Sequence, residues 1–86
     1  MVTLRIEERS DGRRPVLRLS GRIRSEQLDE LKAQIRNKGP AVMLDLEDVT
    51  LVDVGTVHFL GLCEADGIEL LHCAPYIRKW IGLTRS

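Results

Sequence analysis

The sequence predicts an α/β domain built on a small mixed sheet of about four strands, with an N-terminal antiparallel hairpin, parallel βαβ units after it, and helices packed mainly on one face. Three observations predict this fold. Polar and apolar residues alternate near the N-terminus, later segments repeat apolar residues at helical spacing, and short apolar runs lie between those segments. A length of 86 residues, 43% of them hydrophobic, fits a single domain over residues 1–86 with one core.

The first two strands are predicted from a two-residue period and a turn. Val2, Leu4 and Ile6 alternate with polar residues, as in an edge strand with one side facing solvent. Residues 10–12 supply turn chemistry, and an extended pattern then runs from Val16 to about Gly21. Two strands joined by a short turn predict a hairpin.

The first helix is predicted between an N-cap at Ser25 and a stop at residues 39–40. Acidic residues occupy its opening turns and basic residues its closing turns, which suits the helix dipole. Leu28, Leu31 and Ile35 recur at helical spacing and form its predicted buried stripe.

A central strand is predicted at residues 42–46, because this run is almost continuously apolar. A polar turn is expected at Glu47 and Asp48. The run from Val49 to Val52 then leads to Asp53, which is the expected N-cap of the second helix.

The second helix is predicted to run to about Asp66 and to end at Gly67, which can adopt a left-handed conformation. A short strand at residues 68–71 and a third helix opened by Pro75 complete the chain. Helical connections between successive strands predict parallel pairing.

Composition argues against several classes of function. Lys plus Arg and Asp plus Glu number 13 each, and the pI is near 6.7, so no overall field attracts nucleic acid or an anionic membrane. One Phe, one Tyr and one Trp are too few for a base-stacking platform. No apolar stretch could span a bilayer and no signal-peptide core is present, so we expect a cytoplasmic location.

Residue types that bind metals or catalyse reactions occur without the spacing that such sites need. His58 and Cys63 are five residues apart on one predicted helix, and His72 and Cys73 would face opposite sides of a strand. No nucleophile has a neighbouring base. We therefore expect no metal, no cofactor and no enzymatic activity.

Two aspartates near one edge of the predicted sheet have a structural interpretation. Asp45 and Asp53 resemble a carboxylate pair at the edge where α/β sites gather. The preferred interpretation is that Asp53 caps a helix and that Asp45 accepts a hydrogen bond that fixes a loop.

Four segments, taken in order, resemble the landmarks of a STAS domain of the anti-sigma-factor antagonist family. They are residues 16–21, 43–46, 49–53 and 67–70, within a resemblance that runs from residue 4 to residue 81. In that family, a serine at the start of the helix after the third segment is phosphorylated by a partner kinase. Here Val54 occupies this position, so the resemblance implies a member without the phosphorylation switch.

The resemblance implies a regulatory protein-interaction module whose partner is a protein, such as a switch-kinase-like anti-sigma factor. The expected partner-binding residues are Asp53, Val54, Gly55, Thr56, Val57 and His58. Thr56 is a poor substitute for the missing serine, because two residues along a helix turn a side chain through about 200°.

Two other functions remain open at the level of sequence. The alternative is a small anion- or nucleotide-binding module that uses the helix N-terminus at residues 54–57, since some STAS domains are associated with nucleotides. A third hypothesis is homo-oligomer formation through the first strand, whose edge is partly guarded by Arg5 and Glu7.

Overall fold

The computed structural model describes residues 4–12, 14–39 and 41–84, which form a four-stranded mixed sheet and three α-helices. The elements are β1 (Arg5–Asp11), β2 (Arg14–Ile23), α1 (Leu28–Lys38), β3 (Met43–Val52), α2 (Val54–Ala65), β4 (Glu69–Leu71) and α3 (Pro75–Thr84), with a 3-10 turn at Ser25–Gln27 before α1. The predicted α/β fold class is confirmed. Val2 and Pro40, which the sequence assigns to the first strand and to the end of the first helix, lie outside the described residues.

The strands lie side by side in the order β1-β2-β3-β4. β1 pairs antiparallel with β2 and places Ile6 opposite Leu19, so the predicted hairpin is confirmed and β1 is an edge strand. β3 pairs in parallel with β2 on one side and β4 on the other, with Leu44 between Leu17 and Leu70. Parallel pairs need crossover connections, which α1 and α2 provide.

One apolar cluster joins the sheet to all three helices. Its members are Leu17, Leu19, Ile23, Leu28, Leu31, Val42, Leu44, Leu46, Val57, Leu60, Cys63, Leu70, Ile77 and Ile81. The opposite face of the sheet is charged, because the alternation that points Leu17 and Leu44 toward the helices turns Arg18 and Asp45 the other way. The helices therefore pack mainly on one face, as predicted.

β2 and β3 are longer than the sequence predicts. β2 continues past Gly21 to Ile23, and β3 runs to Val52 without the predicted turn at Glu47 and Asp48. Between two paired positions β3 advances three residues, from Asp45 to Asp48, while β2 advances two, from 18 to 20. The extra residue in β3 is a β-bulge. The strand therefore continues through Glu47 and Asp48, which remain exposed.

The predicted N-cap at Ser25 is wrong. Ser25 begins the 3-10 turn, and the backbone N–H of Arg24 donates to Oε1 of Gln27 at 3.1 Å. The backbone N–H and the hydroxyl of Ser25 donate instead to Oδ2 of Asp53, at 2.9 and 3.1 Å. Hydrogen bonds to a charged carboxylate are stronger than those between neutral groups. Ser25 therefore connects the turn before α1 to the start of α2.

The ends of α2 and the start of α3 agree with the sequence prediction. Asp53 precedes the first residue of α2, and Gly67 follows its end with φ +93°, a conformation that favours glycine. Pro75 is the first residue of α3. Among the described residues, no helix combines the length and the apolar character that crossing a membrane requires.

Candidate functional site

Asp53 organises the turn between β3 and α2 through hydrogen bonds to both of its carboxylate oxygens. Its Oδ1 accepts from the backbone N–H of Thr56 at 2.8 Å and lies 2.7 Å from the Thr56 hydroxyl, while Oδ2 accepts from the two donors of Ser25. The predicted N-cap role is confirmed. The same side chain fixes two turns, and thereby the position of Val54 at the start of α2.

The hydrogen bonds to Asp53 also control its charge. Partial burial raises the pKa of Asp53, but the donors of Ser25 and Thr56 outweigh it and lower the pKa from the ordinary 3.8 to about 2. The carboxylate is therefore ionised at neutral pH, which strengthens each of its hydrogen bonds.

Two of the predicted partner-binding residues lie in the interior and cannot contact a partner. Thr56 is 0% exposed, and its hydroxyl lies 3.1 Å from the carbonyl oxygen of Ile23 as well as beside Asp53. Val57 is equally buried and belongs to the apolar core. The prediction for these two side chains is wrong, because they lie on the inner side of α2 together with Leu60.

Gly55 is required by packing and offers no side chain to a partner. A Cβ atom added at Gly55 would lie 2.7 Å from Cβ of Ser25, closer than two such atoms approach in proteins. The missing side chain lets the turn that contains Ser25 pack against the first turn of α2, where Asp53 joins the two.

Val54 and His58 are exposed, and a third residue shares their side of the helix. Val54 is 61% exposed, His58 is exposed, and Leu62, four residues further along, is 54% exposed. Residues four apart lie above one another on a helix. Leu51, which is 53% exposed, precedes this row at the end of β3. We call Leu51, Val54, His58 and Leu62 the α2 surface.

The outer side of α2 differs from that of an ordinary surface helix. Among the 12 residues of α2 only Glu64 is charged, whereas the 11 residues of α1 include five charged ones. A surface helix normally carries polar residues on its outer face, and α1 does so. Large aliphatic side chains on the outer face of α2 are instead typical of a face that another molecule covers.

A depression of about 130 Å³ lies next to the α2 surface. Its lining includes Arg22, Arg24, Leu51 and Asp53, so two guanidinium-bearing residues border the N-terminus of α2. In the first turn of the helix, the N–H of Thr56 is already bound by the Asp53 carboxylate. A second anion there would meet this negative charge, which disfavours the anion-binding alternative.

The cysteines are poor nucleophiles. Burial raises the pKa of the Cys63 thiol to about 11, and burial also raises the pKa of Cys73. A thiol must lose its proton to attack a substrate or to bind a metal ion. Both groups are therefore protonated at neutral pH.

Asp45 accepts a backbone hydrogen bond, as predicted, but within the bulged part of β3 and not in a loop, and it also contacts a residue that is distant in the sequence. Its Oδ1 accepts from the backbone N–H of Glu47 at 3.0 Å and lies 3.1 Å from Nδ1 of His72. The 27 residues between Asp45 and His72 conceal this contact in the sequence. It follows from the parallel pairing of β3 and β4, which sets Asp45 opposite Leu71.

His58 and Cys63, whose residue types can bind metals, do not lie together. His58 lies on the exposed side of α2, while Cys63 lies in the core. The Tyr76 hydroxyl donates a hydrogen bond to the carbonyl oxygen of Thr50 at 3.2 Å, and Trp80 packs partly buried against the core.

Comparison of the chain with protein-family models found no match, and comparison with curated proteins found none.

Proposed function

We propose that this chain is a non-enzymatic regulatory module that binds a protein partner through the α2 surface, in the manner that the resemblance to anti-sigma-factor antagonists implies. The expected partner is a protein such as a switch-kinase-like anti-sigma factor. The contact is constitutive, because no modifiable hydroxyl is displayed where that family presents its serine.

The observation that carries the proposal is the aliphatic outer side of α2. Val54 and Leu62 are each more than half exposed on a helix that is nearly free of charge. Leaving a large aliphatic side chain in water forgoes about 1.5–3 kcal/mol of burial free energy. A protein partner that covers this side recovers part of that free energy, and His58 between the two aliphatic residues offers a polar contact for specificity.

The rigidity of the turn supports the same interpretation. Asp53 binds Ser25 on one side and Thr56 on the other, so the backbone around Val54 is held in one conformation before any partner arrives. A preformed contact surface loses little conformational entropy on binding. The buried hydroxyl of Thr56 supports the absence of a switch, since a kinase needs an accessible alcohol.

Titration calorimetry against purified switch-kinase-like anti-sigma factors tests the proposal. The variants are Val54→Glu and a matched control, Leu83→Glu, which places the same charge at a 68% exposed leucine on α3. We expect Val54→Glu to weaken binding at least about tenfold, because a buried unpaired carboxylate costs more than 1.4 kcal/mol. Leu83→Glu should bind like the wild type.

Equal binding by wild type and Val54→Glu would overturn the proposed surface. Absence of binding to every such partner, together with a rise in melting temperature with a nucleotide, would favour the alternative of a small anion-binding module, because a ligand of the native state raises its stability by mass action.

A further inference from the structure

Three side chains with metal-ligating atoms meet on the charged face of the sheet, where β3 and β4 lie side by side. Asp45 and Glu47 belong to β3, and His72 follows β4 directly. Nδ1 of His72 lies 3.1 Å from Oδ1 of Asp45 and 3.9 Å from Oε2 of Glu47. One ligand atom from each of the three residues lies within 4.8 Å of the other two.

These distances match the size of a coordinated ion. Zinc binds imidazole nitrogen and carboxylate oxygen at about 2.0–2.2 Å, which places two ligand atoms of a tetrahedral ion about 3.4 Å apart. The observed 3.1 and 3.9 Å lie on either side of that separation. Small rotations of Glu47, whose side chain is 57% exposed, adjust the longer distance.

The surrounding charges favour a cation. Arg18 on β2 forms an ion pair with Asp48 at 2.5 Å, so one guanidinium lies in a region that holds the three carboxylates of Asp45, Glu47 and Asp48. The pKa of Arg18 is raised mainly by Asp48, with smaller contributions from Glu47 and Asp45, so all three carboxylates act on the same region.

Asp45 is placed as a fixed ligand. Its side chain is only 15% exposed, and its Oδ1 is held by the N–H of Glu47. Within residues 4–12, 14–39 and 41–84, its second oxygen, Oδ2, accepts no hydrogen bond. The N–H of Glu47 uses one lone pair of Oδ1, so the other lone pair of this oxygen, 3.1 Å from Nδ1 of His72, is available to an ion.

We propose that Asp45, Glu47 and His72 bind one divalent transition-metal ion, of which Zn²⁺ is the best match. A set of one imidazole nitrogen and two carboxylate oxygens suits Zn²⁺ or Mn²⁺ better than Mg²⁺ and Ca²⁺, which prefer oxygen ligands alone. Three protein ligands leave at least one coordination position open to water. The site lies on the opposite face of the sheet from the helices and is independent of the α2 surface.

Titration of tag-free, chelator-treated full-length chain with Zn²⁺ by calorimetry tests this inference. The site variants are Glu47→Gln, at an exposed side chain, and His72→Asn, chosen because His72 has φ 54° and asparagine tolerates this conformation. The matched control is His58→Asn, which removes the chain's other histidine. Circular dichroism and urea unfolding establish that each variant is folded.

We expect the wild type to bind one Zn²⁺ per chain, and to show a higher melting temperature with Zn²⁺ than with Mg²⁺. Each site variant should weaken binding at least about tenfold, since even outer-shell substitutions cost 10–100-fold in metal affinity. His58→Asn should bind as the wild type does.

Three results would overturn the inference. They are the absence of saturable binding by the wild type, affinities unchanged in both site variants, and an equal loss of binding in His58→Asn. None of them bears on the binding of a protein partner through the α2 surface, so the two proposals are tested separately.

Discussion

Replacing Asp53 with alanine tests how the start of α2 is held in place. The change removes the N-cap of α2, which is worth about 1 kcal/mol. It also removes the two hydrogen bonds that Ser25 donates. A hydrogen bond to a charged group contributes about 1.5–3 kcal/mol. Because Ser25 is exposed to water, we assign its two bonds a combined contribution of about 1 kcal/mol. The expected loss is about 2 kcal/mol at pH 7, or roughly 10 °C in Tm for a domain of this size.

The pH dependence of this loss gives a second check. The pKa of Asp53 falls from 3.8 to about 2 on folding, so its charged form stabilises the folded state above pH 4. This stabilisation is lost as the pH falls from 4 toward 2. The difference in unfolding free energy between wild type and Asp53→Ala should therefore shrink over that interval.

Urea unfolding from pH 7 to pH 2.5 measures both effects. The control is Asp29→Ala, which removes an exposed carboxylate from the first turn of α1 and should cost no more than about 0.5 kcal/mol. A loss below about 0.5 kcal/mol for Asp53→Ala at pH 7, or a loss that stays constant down to pH 2.5, would refute this account of the turn.

Three further predictions concern α2. Val54→Ser should gain one phosphate from a switch-kinase-like partner with Mg–ATP, whereas the wild type should gain none because Thr56 is buried. Mass spectrometry of the intact chain measures the added phosphate. Gly55→Ala should cost about 1–3 kcal/mol in urea unfolding, and adding Ser25→Gly, which removes the clashing Cβ, should restore part of it despite the lost hydroxyl hydrogen bond. The Cys63 thiol should react with a thiol reagent only when the chain unfolds, because it is buried and its pKa is about 11.

Local chemistry made much of the fold predictable. An aspartate before an apolar helical run, a glycine after it and a proline in the next first turn each act within a few residues, so α2 and the start of α3 could be read from the sequence. The order of strands and helices then dictated parallel pairing. The exposed position of Val54 follows from the same local pattern.

Long-range contacts explain what the sequence did not reveal. Ser25 looked like a helix cap because its better partner, Asp53, is 28 residues away. Glu47 looked like a turn residue because a bulge in β3 cannot be recognised without the register of β2. His72 and Asp45 seemed unrelated until β3 and β4 paired.

The inward position of Thr56 could have been inferred from helical spacing. Val57 and Leu60 define the buried side of α2, and Thr56 lies next to Val57 on that side. The same spacing places Leu62 on the outer side with Val54 and His58. The helical period, applied along the whole of α2, therefore places Thr56 on the inner side and Leu62 on the outer side.

Chemical-shift mapping by NMR, with labelled chain and an unlabelled switch-kinase-like partner, tests the proposed function most directly. The account predicts that the largest perturbations fall on the four residues of the α2 surface, while the amides of α1 and of the β1 edge change little. Perturbations concentrated on β1, with Val54 and Leu62 unchanged, would contradict it.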